Sequence, residues 1–222
     1  MTPMAISQQA PSLIVVEGPI GSGKAGLAKR LAESFDGELI LENPLENPFL
    51  PRFYQNHRQA ALPAQLFLLF QRARVMDQIR QSDLFCNLRI TDFLMEKDRS
   101  FAERVLDRSE FALYQQVHAT LDLNPPRPDL VVYLQAPPDV LLRRIASRGR
   151  EAETGIDPGF LERLGEAYAN FFHQYDEAPL LIVNVAEIDP VQRAPQFREL
   201  LQAMQQVRHG RHFFNPAATT II

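Results

Sequence analysis

This 222-residue chain has no tryptophan, one cysteine and only three lysines among its 23 Lys+Arg. The single Cys86 excludes an internal disulfide and a cysteine-based metal cluster. Long apolar runs are missing too, since none approaches the roughly 18 residues of a membrane span. Residues 1–12 are polar and lack the basic start and apolar stretch of a secretory signal. Acidic residues outnumber basic ones, 27 against 23, for a net charge of −4. That balance lacks the basic excess of a general nucleic-acid or membrane-surface protein. At 45% hydrophobic and 23% charged, the rest of the composition is that of an ordinary globular protein. The length fits a single domain over residues 1–222. A cytoplasmic enzyme, with no nucleic-acid and no membrane partner, fits these numbers.

Scarce lysine makes Lys24 conspicuous. It sits in the run Gly18, Pro19, Ile20, Gly21, Ser22, Gly23, Lys24, Ala25. A phosphate-binding loop reads G-x-x-x-x-G-K followed by Ser or Thr. Gly18, Gly23 and Lys24 meet that pattern, and Ala25 breaks it. The context agrees. Leu13–Glu17 is a short apolar, β-branched run, and Ala28, Leu31, Ala32 and Phe35 recur at helical spacing before Gly37. Strand, glycine loop and helix form the setting in which the N–H groups of Gly21, Ser22, Gly23 and Lys24 face phosphate oxygens. The chain is therefore expected to bind a nucleoside triphosphate. Ala25 lacks the hydroxyl that normally ligates magnesium, and Gly26 also replaces a usual Ser or Thr. Mg²⁺ keeps several waters and needs few protein ligands, so weakened rather than abolished magnesium use is expected.

Five strand-like runs, 13–17, 38–42, 88–92, 130–134 and 180–185, alternate with helical stretches. The alternation implies an α/β, P-loop NTPase-type three-layer fold with a five-stranded parallel sheet and helices on both faces. Ligands of such sheets sit beyond the carboxyl ends of the strands, which singles out Glu17, Glu42 and Asp92. Pro63 suits the first turn of a long helix running to about residue 80. Leu66, Leu69, Phe70, Ala73 and Met76 form its apolar face, and Gln65 and Arg72, seven apart, share one side. A helix at 137–149 carries Arg143, Arg144 and Arg148 toward Gly149 and Arg150. A terminal helix spans about 192–207, and residues 208–222 carry no readable pattern.

Several stretches, in order and spacing, resemble one family. They are the glycine loop, Leu41 to Pro44 with Asn47 to Leu50, Gln65 to Arg72, Asp92 to Ala102, Tyr133 to Gln135, and Arg148 through Arg150 to Gly155 and Ile156. Together, over about residues 13–185, they resemble the bacterial type of deoxynucleoside kinase, similar to deoxyadenosine and deoxyguanosine kinases. The resemblance implies transfer of the ATP γ-phosphoryl to the 5′-hydroxyl of a deoxynucleoside, with Mg²⁺, in a homodimer packed through helices.

It also implies roles. Phosphorylating a hydroxyl needs a group to take its proton, and the family's general base falls on Glu42, whereas Glu46 reads as a solvated charge. Gln65 offers a donor and an acceptor on one planar group, suited to a base edge. Arg72 and Asp98 match the pair that shapes the base pocket and lean toward deoxyadenosine, deoxyguanosine or deoxycytidine over thymidine. Tyr54 and Glu153 match groups that contact the sugar 3′-hydroxyl. Arg144, Arg148 and Arg150 match a lid, at about 144–156, whose guanidinium forks stabilise the moving phosphoryl, with Gly149 and Gly155 letting it bend. Arg143 reads as a solvated neighbour. Asp92 matches an acidic position that helps hold magnesium. Phe93 stands where animal relatives carry arginine, and Lys97 and Arg99 are nearby groups to take over its work.

Two other readings compete. A nucleoside monophosphate kinase shares the loop and sheet, but a carboxylate at Glu42 would repel its acceptor phosphate. A non-catalytic nucleotide sensor draws support from Ala25 and Phe93, and is opposed by the retained set of Lys24, Glu42, Asp92 and the lid arginines.

Overall fold

A computed structural model describes residues 13–55, 57–81, 88–121, 123–153 and 155–216. Cys86, the polar segment 1–12 and the end of the tail lie outside the described residues.

The chain opens with β1 (Leu13–Glu17), the glycine loop, α1 (Lys24–Phe35) and β2 (Glu38–Ile40). Next come α2 (Leu50–Gln55), α3 (His57–Gln81), β3 (Arg89–Thr91), α4 (Met95–Val105) and α5 (Arg108–Thr120). The rest comprises β4 (Leu130–Gln135), α6 (Pro138–Arg148), α7 (Pro158–Gln174), β5 (Leu180–Asn184), α8 (Ala194–Gln206) and β6 (Arg211–Phe214). All paired strands run parallel in the order β2-β3-β1-β4-β5-β6. The chain turns to one side of β1 for β2 and β3 and to the other for β4 onward. β1 therefore marks the switch point at which α/β sheets open a crevice.

Strand periodicity sorts the core into layers. Ile14 and Val16 point to the face covered by Leu27 and Leu31 of α1 and by Phe197 and Leu200 of α8. Leu13 and Val15 point to the face covered by Tyr168 and Phe172 of α7. A third cluster, from α2 to α5 with Leu141 and Ile145 of α6, walls the sheet's open end. Among the described residues no helix is long and apolar enough to cross a membrane.

The α/β class and the parallel sheet are as expected, but the sheet has six strands rather than five. β6 comes from the tail that carried no pattern. Only His212 and Phe214 of its four residues are half-buried, and Phe213 is 73% exposed, so its edge position leaves almost no apolar signature. The long helix also differs: α3 starts at His57 and runs through Pro63. The helix forgoes the hydrogen bond that Pro63 has no N–H to donate, and the buried Ala60, Ala61 and Ala64 carry it past that point. Its buried face holds Leu69, Arg72, Met76 and Ile79, while Phe70 is 45% exposed. α1 closes with Asp36, not glycine, in the left-handed conformation. Gly37 serves packing instead, since a Cβ there would meet Ile90 Cδ1 at 2.6 Å.

Candidate active site

The glycine loop joins the fully buried β1 to α1. Gly21 adopts φ +86°, and a Cβ on it would meet the Leu141 carbonyl at 2.8 Å, so only glycine fits against α6. Gly21, Gly23, Lys24 and Ala25 line a cavity of about 760 Å³. The first turn of α1, whose leading amides have no partner within the helix, borders it. Gly18 and Ser22 do not line it. The Gly18 N–H is given to Glu17 at 3.0 Å and the Ser22 N–H to the Pro19 carbonyl at 3.0 Å, so these two shape the loop from within. Gly26 lies under Val191, whose Cγ1 would be 2.9 Å from an added Cβ.

Glu42 lines the same cavity, two residues beyond β2. Its backbone leaves the sheet because its N–H is donated to Asp92 Oδ1 at 2.7 Å. Asn47 pins the following loop to α3 through the Ala64 carbonyl at 3.0 Å. Arg72 Nη2 stands 2.6 Å from Glu42 Oε1. The other terminal nitrogen of Arg72 pairs with Asp98, whose second oxygen accepts from the Tyr114 hydroxyl. The row Glu42, Arg72, Asp98, Tyr114 thus crosses from α3 to α4 and α5, and Tyr114 is a member that no local pattern revealed. Gln65 lines the cavity with Arg72, as their shared helix face predicts. Glu46 is exposed and takes a hydrogen bond from Asn43, in line with a solvated role.

Tyr54 and Glu153 also line the cavity. Burial pushes the Tyr54 hydroxyl well above the usual tyrosine range, and the Glu153 and Glu42 carboxylates add to that shift. Glu153 is itself buried and holds two arginines. It accepts from Arg148 Nε at 3.1 Å and stands 3.5 Å from Arg150 Nη1. Arg148 and Arg150 face the cavity, but Arg144 does not. Its guanidinium donates to the carbonyls of Val185 at 2.6 Å and Ile188 at 3.0 Å, tying α6 to the segment after β5. Arg143 pairs with Asp139 in solvent.

Asp92 follows β3 directly and is 3% exposed. Burial raises its carboxyl to about 6, against the lowering effect of the Lys24 ammonium and the Glu42 N–H, with the Glu42 and Glu17 charges adding to the rise. Beside it lies a buried knot. Glu17 receives Lys97 Nζ at 2.9 Å, the Tyr168 hydroxyl at 2.9 Å, and the N–H groups of Gly18 at 3.0 Å and Leu94 at 2.9 Å. Burial alone would raise the Glu17 carboxyl, but Lys97, Lys24 and the Gly18 N–H hold it below the usual range. Lys97 lines the cavity, whereas Arg99 is exposed and Phe93 is buried with Arg72 over its ring at 6.0 Å.

Among the described residues no three His, Cys, Asp or Glu side chains cluster as metal ligands. The residues nevertheless fit a magnesium ion held mainly by phosphates and water. Asp92 offers a cavity-lining carboxylate with one oxygen engaged by an N–H, and a hard cation with few protein ligands suits such a donor set.

Donor phosphates and an acceptor hydroxyl must share one enclosure, and here the glycine loop and Glu42 bound a single cavity at the switch point of the sheet. That is the arrangement of a P-loop phosphotransferase. The family model for deoxynucleoside kinases matches residues 14–208, and the chain belongs to that family. It is 33% identical over 168 residues to deoxyguanosine kinase of Bacillus subtilis, a match covering 74% of this chain and 80% of that one. It is 28% identical over 208 residues to deoxyadenosine kinase of Lactobacillus acidophilus, covering 87% and 95%. Among solved structures, deoxyadenosine kinase from M. mycoides with bound dATP superposes with a TM-score of 0.74 at 22% identity, over 88% of this chain and 100% of that one.

Proposed function

We propose that this deoxynucleoside kinase transfers the γ-phosphoryl of ATP to the 5′-hydroxyl of deoxyadenosine or deoxyguanosine, using Mg²⁺. The observation that carries this reading is the placement of Glu42 and the glycine loop on one cavity with Gln65 and Arg72. The purine preference draws on the named activities of the relatives in Bacillus and Lactobacillus.

Glu42 accepts the proton of the 5′-hydroxyl as its oxygen bonds to the γ-phosphorus. The bond from that phosphorus to the β,γ-bridging oxygen breaks, and ADP leaves with the electron pair. Lys24 and the first-turn amides of α1 hold the donor phosphates. Arg148 and Arg150 meet the charge spread over the moving group once the lid leaves Glu153 free for the sugar. Gln65, Arg72 and Asp98 read the base, and Tyr54 with Glu153 takes the 3′-hydroxyl. Arg144 acts by fixing α6 against the segment after β5. Asp92 would hold magnesium, which when bound neutralises phosphate charge.

The protein works as a cytoplasmic homodimer in this reading. Phe70 and Leu113, 45% and 46% exposed on α3 and α5, give adjoining helices an apolar surface. Incubating the protein with ATP, Mg²⁺ and each deoxynucleoside in turn tests the reading. Deoxyadenosine or deoxyguanosine should yield its 5′-monophosphate fastest, and a thymidine-only enzyme would break the roles given to Arg72 and Asp98.

A further inference from the structure

The cations around the cavity are unequally committed. Arg72 is spanned by Glu42 and Asp98, Arg148 and Arg150 are both held by Glu153, and Arg144 is spent on backbone carbonyls. Lys24 serves the donor phosphates. That leaves Lys97, in the first turn of α4, five residues after Asp92.

Lys97 is 6% exposed, and a lysine is almost never buried so far without a reason. Its ammonium has three donors. One goes to Glu17 at 2.9 Å and one to the Tyr168 hydroxyl at 3.0 Å. No partner among the described residues takes the third, and the side chain lines the cavity. The rings of Phe101 and Tyr168, each 5.0 Å from Nζ, close off its flanks and keep the head in place. Lys97 also stands within the fields of Glu42, Arg72 and Lys24.

We infer that Lys97 is a catalytic residue whose free N–H binds a non-bridging oxygen of the phosphoryl group as it passes from ADP to the 5′-oxygen. Glu17 and Tyr168 are its positioning residues. They fix the head in place, and the Glu17 charge opposes the burial that pulls the ammonium below the usual lysine range, so that a fixed donor already faces the charge that develops. The inference rests on the kinase reading above. It adds no reactant: the bonds made and broken, and the proton taken by Glu42, are unchanged.

A bland alternative makes Lys97 no more than the counter-ion of Glu17, and a double variant separates the two. Lys97→Met alone leaves Glu17 buried and unpaired, whereas Glu17→Gln with Lys97→Met removes both charges. Turnover with saturating ATP, Mg²⁺ and deoxyadenosine should fall about 100-fold or more in Lys97→Met and should stay as low in the double variant. Nucleoside KM should change less than about threefold, and Lys97→Arg should recover part of the loss. A double variant that regains wild-type turnover overturns the inference. Should the Lys97→Met proteins not fold, the wild type carries the test, because three lysines give three separable ¹⁵Nζ signals. The Lys97 signal should shift when ADP, deoxyadenosine and aluminium fluoride are added together, and an unmoved signal overturns the inference. If the wild type phosphorylates no deoxynucleoside, the kinase reading itself has failed, a result distinct from either of these.

Discussion

Arg72 bridges Glu42 and Asp98, standing 2.6 Å from Glu42 Oε1 with its Nη2 and paired to Asp98 through Nη1. One guanidinium thus joins the proposed proton acceptor to the proposed base pocket. Arg72→Met leaves both Glu42 and Asp98 buried without their cation, so stability should fall by about 3–5 kcal/mol, the usual cost of breaking a buried pair. Denaturant unfolding measures this, and a loss under 1 kcal/mol would contradict the bridge.

Glu42→Gln should behave differently. Arg72 keeps Asp98, so the fold is little disturbed, while the proton acceptor is gone. The kcat should fall by about 10²–10⁴-fold with a melting temperature near that of the wild type. Retention of most activity would move the base elsewhere.

With Asp92 as the proposed magnesium ligand, the demand for magnesium should depend on pH. The Asp92 carboxyl is raised to about 6 from an ordinary value near 3.8. Below pH 6 it takes up a proton and loses its hold on the cation, so the magnesium needed for half-maximal rate should rise steeply between pH 7.5 and 5.5. The stability sign is opposite. A raised folded value contributes stability present below about 3.8 and lost as the pH rises through about 6. The stability difference between wild type and Asp92→Asn, without ligand, should shift in the favour of the wild type as pH falls through that window. Equal pH profiles for the two proteins would contradict the assignment.

The two loop positions that lack a hydroxyl should respond differently to its restoration. Ala25 is exposed and lines the cavity, so Ala25→Thr should raise activity at limiting magnesium. Identical magnesium titrations would refute this. At Gly26 a Cβ would stand 2.9 Å from Val191 Cγ1. Gly26→Thr should therefore cost about 1–3 kcal/mol through overpacking, read as a lower unfolding midpoint.

Local chemistry is what the sequence displays. The glycine loop, Glu42 and Asp92 just past their strands, and the shared helix side of Gln65 and Arg72 all follow from short spacings, and the structure brings these four side chains to one cavity with Gly21, Gly23 and Lys24 of the loop. Long-range pairing is not so displayed. Nothing near Glu17 announces Lys97, 80 positions on, and nothing near Asp98 announces that Arg72 serves Glu42 as well. Arg144 and Arg148 share a helix four residues apart, yet one turns to the carbonyls of Val185 and Ile188 and the other to Glu153. β6 escaped notice because an edge strand of four residues, alternately exposed and half-buried, needs no apolar run.

The central claim is that Glu42 and the glycine loop form the two halves of one phosphoryl-transfer site. It is tested most directly by nucleoside-dependent ADP formation, comparing the wild type with Glu42→Gln over the four deoxynucleosides. The account predicts rapid ADP release by the wild type with deoxyadenosine or deoxyguanosine, and a rate at least about 100-fold lower in the variant. ATP binding with no turnover for any deoxynucleoside, or equal rates in the two proteins, would contradict it.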